Sequence, residues 1–225
     1  MIGSRAKYGV LVLFDRIRFR LLKLLYDGFF VVMVRDQTWQ EPLISSVSPQ
    51  ANNRILDFGA DSASTAVTLA RRFPEATFVG TDPNPKAVEK SRRGIARRHI
   101  SNVTVMVAPL HGRLSFDAGS FDKVLCVLTF HDRPPDEKLR IAKEMLRVLR
   151  HGGTLHVADY DKPATSGERA LLRLTQYISG QPAAEPHMNG SWIAVIEKAG
   201  FAGVRRQSSH SVGVGRISVI KARKR

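Results

Sequence analysis

Apolar and polar positions alternate in two regular ways from Arg54 onward. Short apolar runs alternate with longer stretches of helical periodicity, an order typical of repeated β-α units that build a parallel sheet. Strands are predicted at 54–58, 77–81, 103–107, 123–128, 154–158, 204–208 and 216–221. Helices are predicted at 62–73, 85–99, 135–149, 167–178 and 191–199. The pattern therefore predicts an α/β fold with a seven-stranded, mostly parallel sheet flanked by helices.

Residues 8–34 follow the pattern of a basic amphipathic helix, with leucines away from its charged face. The charged positions of that face are Arg16, Arg20, Lys23 and Asp27. Such a helix either docks on the following domain or lies in a membrane interface, and the sequence leaves both open. We expect residues 1–50 to form an N-terminal helical appendage that contacts membrane or substrate, and residues 51–225 to form a Rossmann-like domain.

Composition adds charge and compartment to this picture. The chain has 35 Lys and Arg against 20 Asp and Glu, a formal charge of +15, which favours an anionic partner. Cys126 is the single cysteine, so an intramolecular disulfide and an all-cysteine metal site are excluded. Asp15 interrupts the first apolar stretch, and no apolar run is long enough to span a membrane. We expect a cytoplasmic protein, with peripheral contact to an anionic inner membrane face left open.

Two polar features follow the first two predicted strands. Asp57 and Gly59 close the first strand and lead through a turn into a helix, so backbone N–H groups point at a ligand above the sheet edge. Asp82 closes the second strand, where a carboxylate accepts hydrogen bonds from both hydroxyls of a ribose. Together they predict a nucleoside-binding edge.

At these residues the chain resembles the class I S-adenosylmethionine-dependent methyltransferases, and the similarity extends over nearly all of residues 54–221. The segments that carry it are, in chain order, ILDFGA, VGTDPNPKAVEKSRR, GSFDKVLCVLTFHD, EMLRVLRHGGTLHVADY and AVIEKAGFAGVRR. Within the class, Tyr26, Asp27, Arg35 and Trp39 are similar to a pattern of ubiquinone/menaquinone C-methyltransferases and bacterial phosphatidylethanolamine N-methyltransferases. The resemblance implies the Rossmann-like class I methyltransferase fold and a small hydrophobic or lipid-like acceptor.

The resemblance also implies how S-adenosylmethionine is held. Asp57 and Gly59 would border its methionine end, and Asp82 would hold the ribose. Pro83 and Asn84 would flank the adenine. No metal is implied.

Further along, the resemblance assigns the end of the fourth strand to the reaction centre. Leu128 and Thr129 would line the floor near the sulfonium, and Phe130, His131 and Asp132 would lie beside the acceptor. Methyl transfer is an in-line displacement, so the protein chiefly aligns donor and acceptor, and a base is needed only where the acceptor loses a proton.

Four side chains are candidates for that base, and we rank His131 first as the catalytic residue. The candidates are His131, Asp132, Tyr160 and His187. Asp136 is expected to serve the start of a helix instead. Asp159 and Asp161 are expected to lie in a loop, with a place in the lining of the acceptor pocket as the alternative.

Three positions depart from the family pattern. Asp61 and Ala63 stand where the first motif usually carries its second and third glycines, which allow close approach and positive φ. Leu110 occupies the cofactor position after the third strand where many relatives have an Asp that accepts from the adenine amino group. These departures predict weakened cofactor binding and keep a second hypothesis open, a methyltransferase-like binding or scaffold protein.

Other functions fit the sequence less well. The basic run at 92–99 indicates salt-dependent affinity for nucleic acid, but no interleaved aromatic residues accompany it, so we expect no specific nucleic-acid partner. A nicotinamide dehydrogenase is disfavoured because the order G-x-G-x-x-G is absent after the first strand. Arsenic methylation is disfavoured because Cys126 is alone.

Overall fold

A computed structural model describes residues 38–110, 112–131, 133–170, 173, 185–212 and 215–225. Its seven strands form one sheet in the order β3-β2-β1-β4-β5-β7-β6. Strands β1 to β5 run parallel, and β7 joins antiparallel to both β5 and β6. The predicted α/β fold with a seven-stranded, mostly parallel sheet is confirmed. The amphipathic segment 8–34 lies outside the described residues, and the division into 1–50 and 51–225 stays a prediction.

The strands are β1 (Arg54–Phe58), β2 (Thr77–Asp82), β3 (Val103–Val107), β4 (Phe121–Val127), β5 (Leu149–Tyr160), β6 (Ala202–Val212) and β7 (Gly215–Arg223). The helices are α1 (Gln40–Val47), α2 (Ser64–Arg72), α3 (Pro85–Arg97), α4 (Pro135–Val148), α5 (Glu185–Asn189) and α6 (Ala194–Lys198). None of the helices among the described residues is long and apolar enough to span a membrane.

Each face of the sheet is covered by its own set of helices, because the chain crosses over after β3. The apolar residues of α1, α2 and α3 pack on one face in a cluster that includes Leu43, Leu69 and Val88. Those of α4 and α6 pack on the other face, in a cluster that includes Ile141 and Ile196. The central strands are thus covered on both sides, which suits their apolar sequences, whereas the edge strands β3 and β6 keep exposed positions.

Several predicted boundaries are corrected. β5 begins at Leu149, directly after α4, instead of at residue 154, and β6 extends from Ala202 to Val212 because it pairs with β7 along most of its length. The helix predicted at 191–199 is a 3₁₀ turn, Ser191–Ile193, followed by α6. Of the helix predicted at 167–178, the described residues 166–170 and 173 are helical.

Helix α1 is anchored to the sheet through a buried histidine. The ring nitrogens of His156 lie 3.0 Å from the Ser46 hydroxyl and 2.9 Å from the Thr154 hydroxyl. Burial, together with the charges of Lys123 and Lys221, lowers the pKa of His156 to about 3. His156 therefore stays neutral in the folded protein under ordinary conditions.

The lowered pKa of His156 predicts that the folded protein loses stability in acid. An unfolded chain protonates His156 below its ordinary pKa of about 6.5, whereas the folded chain does so only near 3. The contribution of neutral His156 to the free energy of unfolding is therefore fully present above about pH 6.5 and is lost as the pH falls towards 3. We expect the free energy of unfolding of the native chain to fall by about 2 kcal/mol more than that of H156L between pH 7.5 and pH 5 in urea titrations. H151L, at an exposed histidine, is the control and should follow the native chain. Equal pH dependence in all three proteins would contradict the assignment.

Candidate active site

The carboxyl ends of β1 and β4 meet at the middle of the sheet, where the strand order reverses. Chain segments leave these two strands in opposite directions and open a crevice at the edge. Gly59 follows β1 and Leu128 follows β4 at this point. The predicted nucleoside-binding edge therefore lies at the position where open α/β sheets bind ligands.

The loop from Gly59 to Ala63 approaches the chain that follows β4 closely. Gly59 has φ +74°, and a Cβ at this position would lie 2.6 Å from Oγ1 of Thr129. Any side chain at Gly59 would therefore displace Thr129. Asp61 and Ala63 have φ of 42° and 53°, the left-handed region that glycine adopts without strain. The two positions thus keep the glycine-like backbone predicted for this motif although neither is glycine.

Asp82 connects this loop to the end of β2. Its Oδ2 accepts a hydrogen bond from the Asp61 N–H at 2.9 Å, and its Oδ1 accepts one from the Asn84 N–H at 2.8 Å. Each carboxylate oxygen has two lone pairs, so one on each oxygen remains for a ligand hydroxyl. Asn84 caps α3 through the Lys86 N–H, and Pro83 beside it is exposed. Asp82 fits a vicinal diol such as that of a ribose.

Asp57 lies buried beneath the same loop, only 2% exposed. Burial, together with the nearby charge of Asp82, raises its pKa to about 7, although the hydrogen bond from the Ala66 N–H acts in the opposite direction. A cation at this edge would favour the ionised form of Asp57. The edge is acidic although the chain as a whole is strongly basic, so it suits a ligand with positive charge, such as the sulfonium and amino group of S-adenosylmethionine.

The two predicted floor residues follow β4. Leu128 has φ 51°, is half-buried and donates its N–H to the Ala158 carbonyl at 2.8 Å. Thr129 is buried over Gly59, and its hydroxyl donates to the Val127 carbonyl at 3.0 Å. Leu110, by contrast, is buried in the apolar cluster on the α4 side of the sheet. The Phe130 ring is also fully buried, edge-on to Trp192, and does not line an open surface.

His131 is paired with a buried carboxylate. Its Nδ1 lies 3.2 Å from Oδ1 of Asp159, which is fully buried at the end of β5. Asp159 also accepts hydrogen bonds from the N–H groups of Phe130 at 2.7 Å and Tyr160 at 2.8 Å. Burial raises the pKa of Asp159, but the charge of His131 and hydrogen bonds that include the Phe130 N–H lower it overall. Asp159 is therefore ionised and lies beside Nδ1 of His131, which favours a neutral ring with its proton on Nδ1.

The other candidate bases lie deeper. His187 is 1% exposed, its Nδ1–H donates to the Tyr160 carbonyl at 2.5 Å, and its ring stacks on Trp192 at 5.1 Å. Burial lowers the pKa of His187, so it stays neutral. The Tyr160 ring is buried edge-on to His131, 5.0 Å away. Asp132 lies outside the described residues. Among the described candidates, His131 is the most exposed, at about one third.

Two carboxylates assigned to a loop by the sequence have different roles. Asp159 belongs to β5, so its assignment to a loop is wrong, and its contact with His131 was not predicted. Asp161 follows β5 and accepts hydrogen bonds from Ser218 at 2.6 Å and Trp192 Nε1 at 3.2 Å. Arg206 pairs with it at 2.6 Å, so Asp161 ties the chain after β5 to β6 and β7. Among the described residues, no cluster of three or more metal-ligating side chains is present.

Comparisons with known proteins bear on the family and the fold of this chain. A family model described as a methyltransferase domain matches residues 55–153, the segment from β1 into β5. The ubiquinone/menaquinone biosynthesis C-methyltransferase UbiE of Geobacter sp. is 28% identical over 130 residues, 57% of this chain and 54% of the relative. The demethylmenaquinone methyltransferase of Deinococcus radiodurans is 26% identical over 180 residues, 76% of this chain and 73% of the relative. The first alignment thus spans about half the length of the relative.

Solved structures share the fold at lower identity. The YcgJ protein of Bacillus subtilis superimposes with a TM-score of 0.69 at 16% identity, over 82% of this chain and 98% of that one. A SAM-dependent methyltransferase of Methanosarcina mazei superimposes with a TM-score of 0.64 at 21% identity, over 78% and 94%. At these identities the likeness supports the fold alone.

Proposed function

We propose that this chain, a member of the class I S-adenosylmethionine-dependent methyltransferases, transfers a methyl group to a small hydrophobic or lipid-like acceptor and uses His131 to receive the acceptor's proton. The observation that carries the proposal is the pairing of His131 with buried Asp159 at the sheet edge that also presents Asp82. The edge therefore combines a carboxylate that can accept hydrogen bonds from a diol with a base for the methyl acceptor.

The residues of the edge fit S-adenosylmethionine. Asp82 would accept from the ribose hydroxyls with its free lone pairs, and the loop after β1 would bring Gly59 against the methionine part. The acidic character of Asp57 and Asp82 complements the positive sulfonium and amino groups. When bound, the cofactor supplies an electrophilic methyl carbon, and the chain's own residues hold the acceptor in line with it.

His131 would act as a general base through Nε2. Asp159 would keep the proton of the neutral ring on Nδ1, so that Nε2 carries the lone pair. S-adenosylmethionine would supply the methyl group and its sulfur would keep the electrons of the broken bond, while the acceptor's proton would pass to Nε2 of His131. Asp159 stabilises the imidazolium that results.

The choice of acceptor rests on the relatives and the sequence. Two relatives are quinone methyltransferases by name, UbiE and demethylmenaquinone methyltransferase, and these names support a ring-bearing lipid. The basic segment at 16–23 supports contact with anionic membrane, where each Lys or Arg near the surface contributes about 1 kcal/mol. Demethylmenaquinone and phosphatidylethanolamine are the two acceptors to test first.

A transfer assay tests the proposal directly. The full chain is incubated with methyl-labelled S-adenosylmethionine and vesicles that contain demethylmenaquinone, phosphatidylethanolamine or neither. We expect label in the lipid phase with one acceptor and none with the plain vesicles. Label in neither lipid, from a protein that binds the cofactor, would contradict the lipid-like acceptor.

The second candidate, a scaffold that has lost cofactor affinity, is favoured by one observation. The exposed side chain of Asp61 adds a carboxylate to the edge that already holds Asp57 and Asp82. It would face the cofactor's own carboxylate, and like charges near contact repel. Calorimetric titration separates the two functions, because a scaffold would release no heat at millimolar cofactor.

A double substitution in the loop after β1 is expected to strengthen the binding of the cofactor. The double substitution D61G/A63G removes one repelling charge and places glycine at two positive-φ positions. We expect the dissociation constant for S-adenosylmethionine to fall by about tenfold, since each 1.4 kcal/mol changes it tenfold. The matched control is D117G/A118G, a pair in an exposed loop before β4, which should leave the constant unchanged. Weaker binding by D61G/A63G would show that Asp61 contributes to the cofactor site.

A further inference from the structure

A basic groove runs between α2 and α3 on the outer surface of the domain, away from His131. Its volume is about 420 Å³, within the range of small-molecule sites. Four cations line it: Arg71, Lys90, Arg97 and Arg98. Four hydroxyl side chains line it as well: Ser62, Ser64, Thr68 and Ser91. This combination of cations and hydroxyls is the donor set that proteins use for phosphate groups.

The cations of the groove are not neutralised by the protein itself. Over the ranges that the structure describes, no carboxylate pairs with Arg71, Lys90 or Arg97. Neighbouring cations outside the groove behave differently, since Arg72 pairs with Glu41 at 2.5 Å and Arg93 with Glu89 at 3.8 Å. Glu89 is the single acidic residue of the two helices. The groove therefore concentrates positive charge that an anionic ligand would balance.

On the floor of the groove, a glycine lets the side chain of Arg98 lie close to the backbone of α3. Gly94 is buried, and a Cβ at this position would lie 3.0 Å from Nη1 of Arg98. The absence of a side chain lets that guanidinium fold back and donate to the Gly94 carbonyl at 3.2 Å. Ser91 is 5% exposed, and its hydroxyl donates to the Asp61 carbonyl at 2.9 Å. The helices are thus held at a fixed spacing around the groove.

We propose that the groove between α2 and α3 binds a phosphate group that carries more than one negative charge, presented by a phosphorylated small molecule or by the headgroup of an anionic lipid. A concave site of this size suits a small ligand. Nucleic acid fits less well, because no described aromatic side chain lines the groove to stack on a base. The groove includes Ser62 of the loop after β1, but Asp57, Gly59, Asp82 and His131 do not line it, and the proposal does not depend on methyl transfer.

Two probes test the proposal at about 0.15 M salt, where charges more than about 8 Å apart are screened. Inorganic pyrophosphate is titrated by calorimetry, and vesicles of phosphatidylcholine with and without phosphatidic acid are used in co-sedimentation. The groove variant is R71Q/K90Q/R97Q. The control variant K143Q/R205Q/R223Q loses the same charge at exposed positions outside the groove.

We expect the native chain and the control to bind the same probe, and the groove variant to bind it at least about tenfold more weakly. Binding of pyrophosphate alone identifies a free phosphorylated ligand, and added retention on phosphatidic acid vesicles identifies the headgroup. Equal loss in both variants would overturn the proposal in favour of non-specific charge. Binding of neither probe, or groove-dependent binding of single-stranded RNA alone, would overturn it as well. Thermal unfolding and S-adenosylmethionine titration of both variants verify that the fold and the other site are intact.

Discussion

D82N is expected to weaken the binding of S-adenosylmethionine by about a hundredfold or more, with the fold retained. Asp82 accepts hydrogen bonds from the N–H groups of Asp61 and Asn84, and in the proposed function its remaining lone pairs would accept from the ribose hydroxyls. An amide of the same shape loses the charge and one of the two acceptor oxygens. Hydrogen bonds to a charged group contribute about 1.5 to 3 kcal/mol each, and two of them account for the expected loss. Calorimetric titration of both proteins measures it.

The matched control is D136N, at an exposed carboxylate of α4 that pairs only with the neighbouring Arg140 among the described residues. D136N should bind the cofactor as the native chain does. Thermal unfolding of D82N is recorded in parallel, because Asp82 also holds the loop after β1. Native affinity in a folded D82N protein would exclude Asp82 as the ribose ligand.

The second large effect is on turnover. H131Q removes the proposed base, and D159N removes the carboxylate that fixes the tautomer of His131. General bases contribute about 10² to 10⁴ in rate, and loss of the orienting carboxylate in comparable pairs costs a similar factor. We expect kcat to fall by about 10² or more in both variants, while the dissociation constant for S-adenosylmethionine changes less than about twofold.

H151Q, at an exposed histidine in β5, is the control for H131Q and should keep native turnover. D159N also removes a buried acceptor of the Phe130 and Tyr160 N–H groups, so its stability is measured before its rate is interpreted. The double variant H131Q/D159N distinguishes a shared role from separate ones. If the two residues act together, its kcat will equal that of H131Q. A double variant whose kcat is lowered by the product of the two single-variant factors would contradict a shared role for His131 and Asp159.

The sheet could be predicted from the sequence because its central parallel strands are short runs dominated by apolar residues, as at Arg54–Phe58, whose last four residues are buried. The ends of a strand are harder to predict from the sequence where pairing with a neighbouring strand decides them. β6 continues to Val212 because β7 runs beside it, although the polar residues Ser208 to Ser211 do not resemble a strand. Tertiary contact outweighs local preference there.

The candidate site also has residues that the sequence could predict and a residue pair that it could not. Asp57, Gly59 and Asp82 could be assigned because each closes a strand in a local motif, and the structure brings all three to one edge. The pairing of His131 with Asp159 could not, because it joins two strand ends 28 residues apart that no local pattern relates. The available signal was weaker: two carboxylates, Asp159 and Asp161, follow an apolar strand at alternate positions, so both lie on one side of the chain.

Titration of the native chain with S-adenosylmethionine in a calorimeter tests the central claim most directly. The acidic edge formed by Asp57 and Asp82, with the close approach at Gly59, predicts binding with a dissociation constant in the micromolar range. No heat at millimolar cofactor, from a folded protein, would contradict the assignment of this edge as a cofactor site.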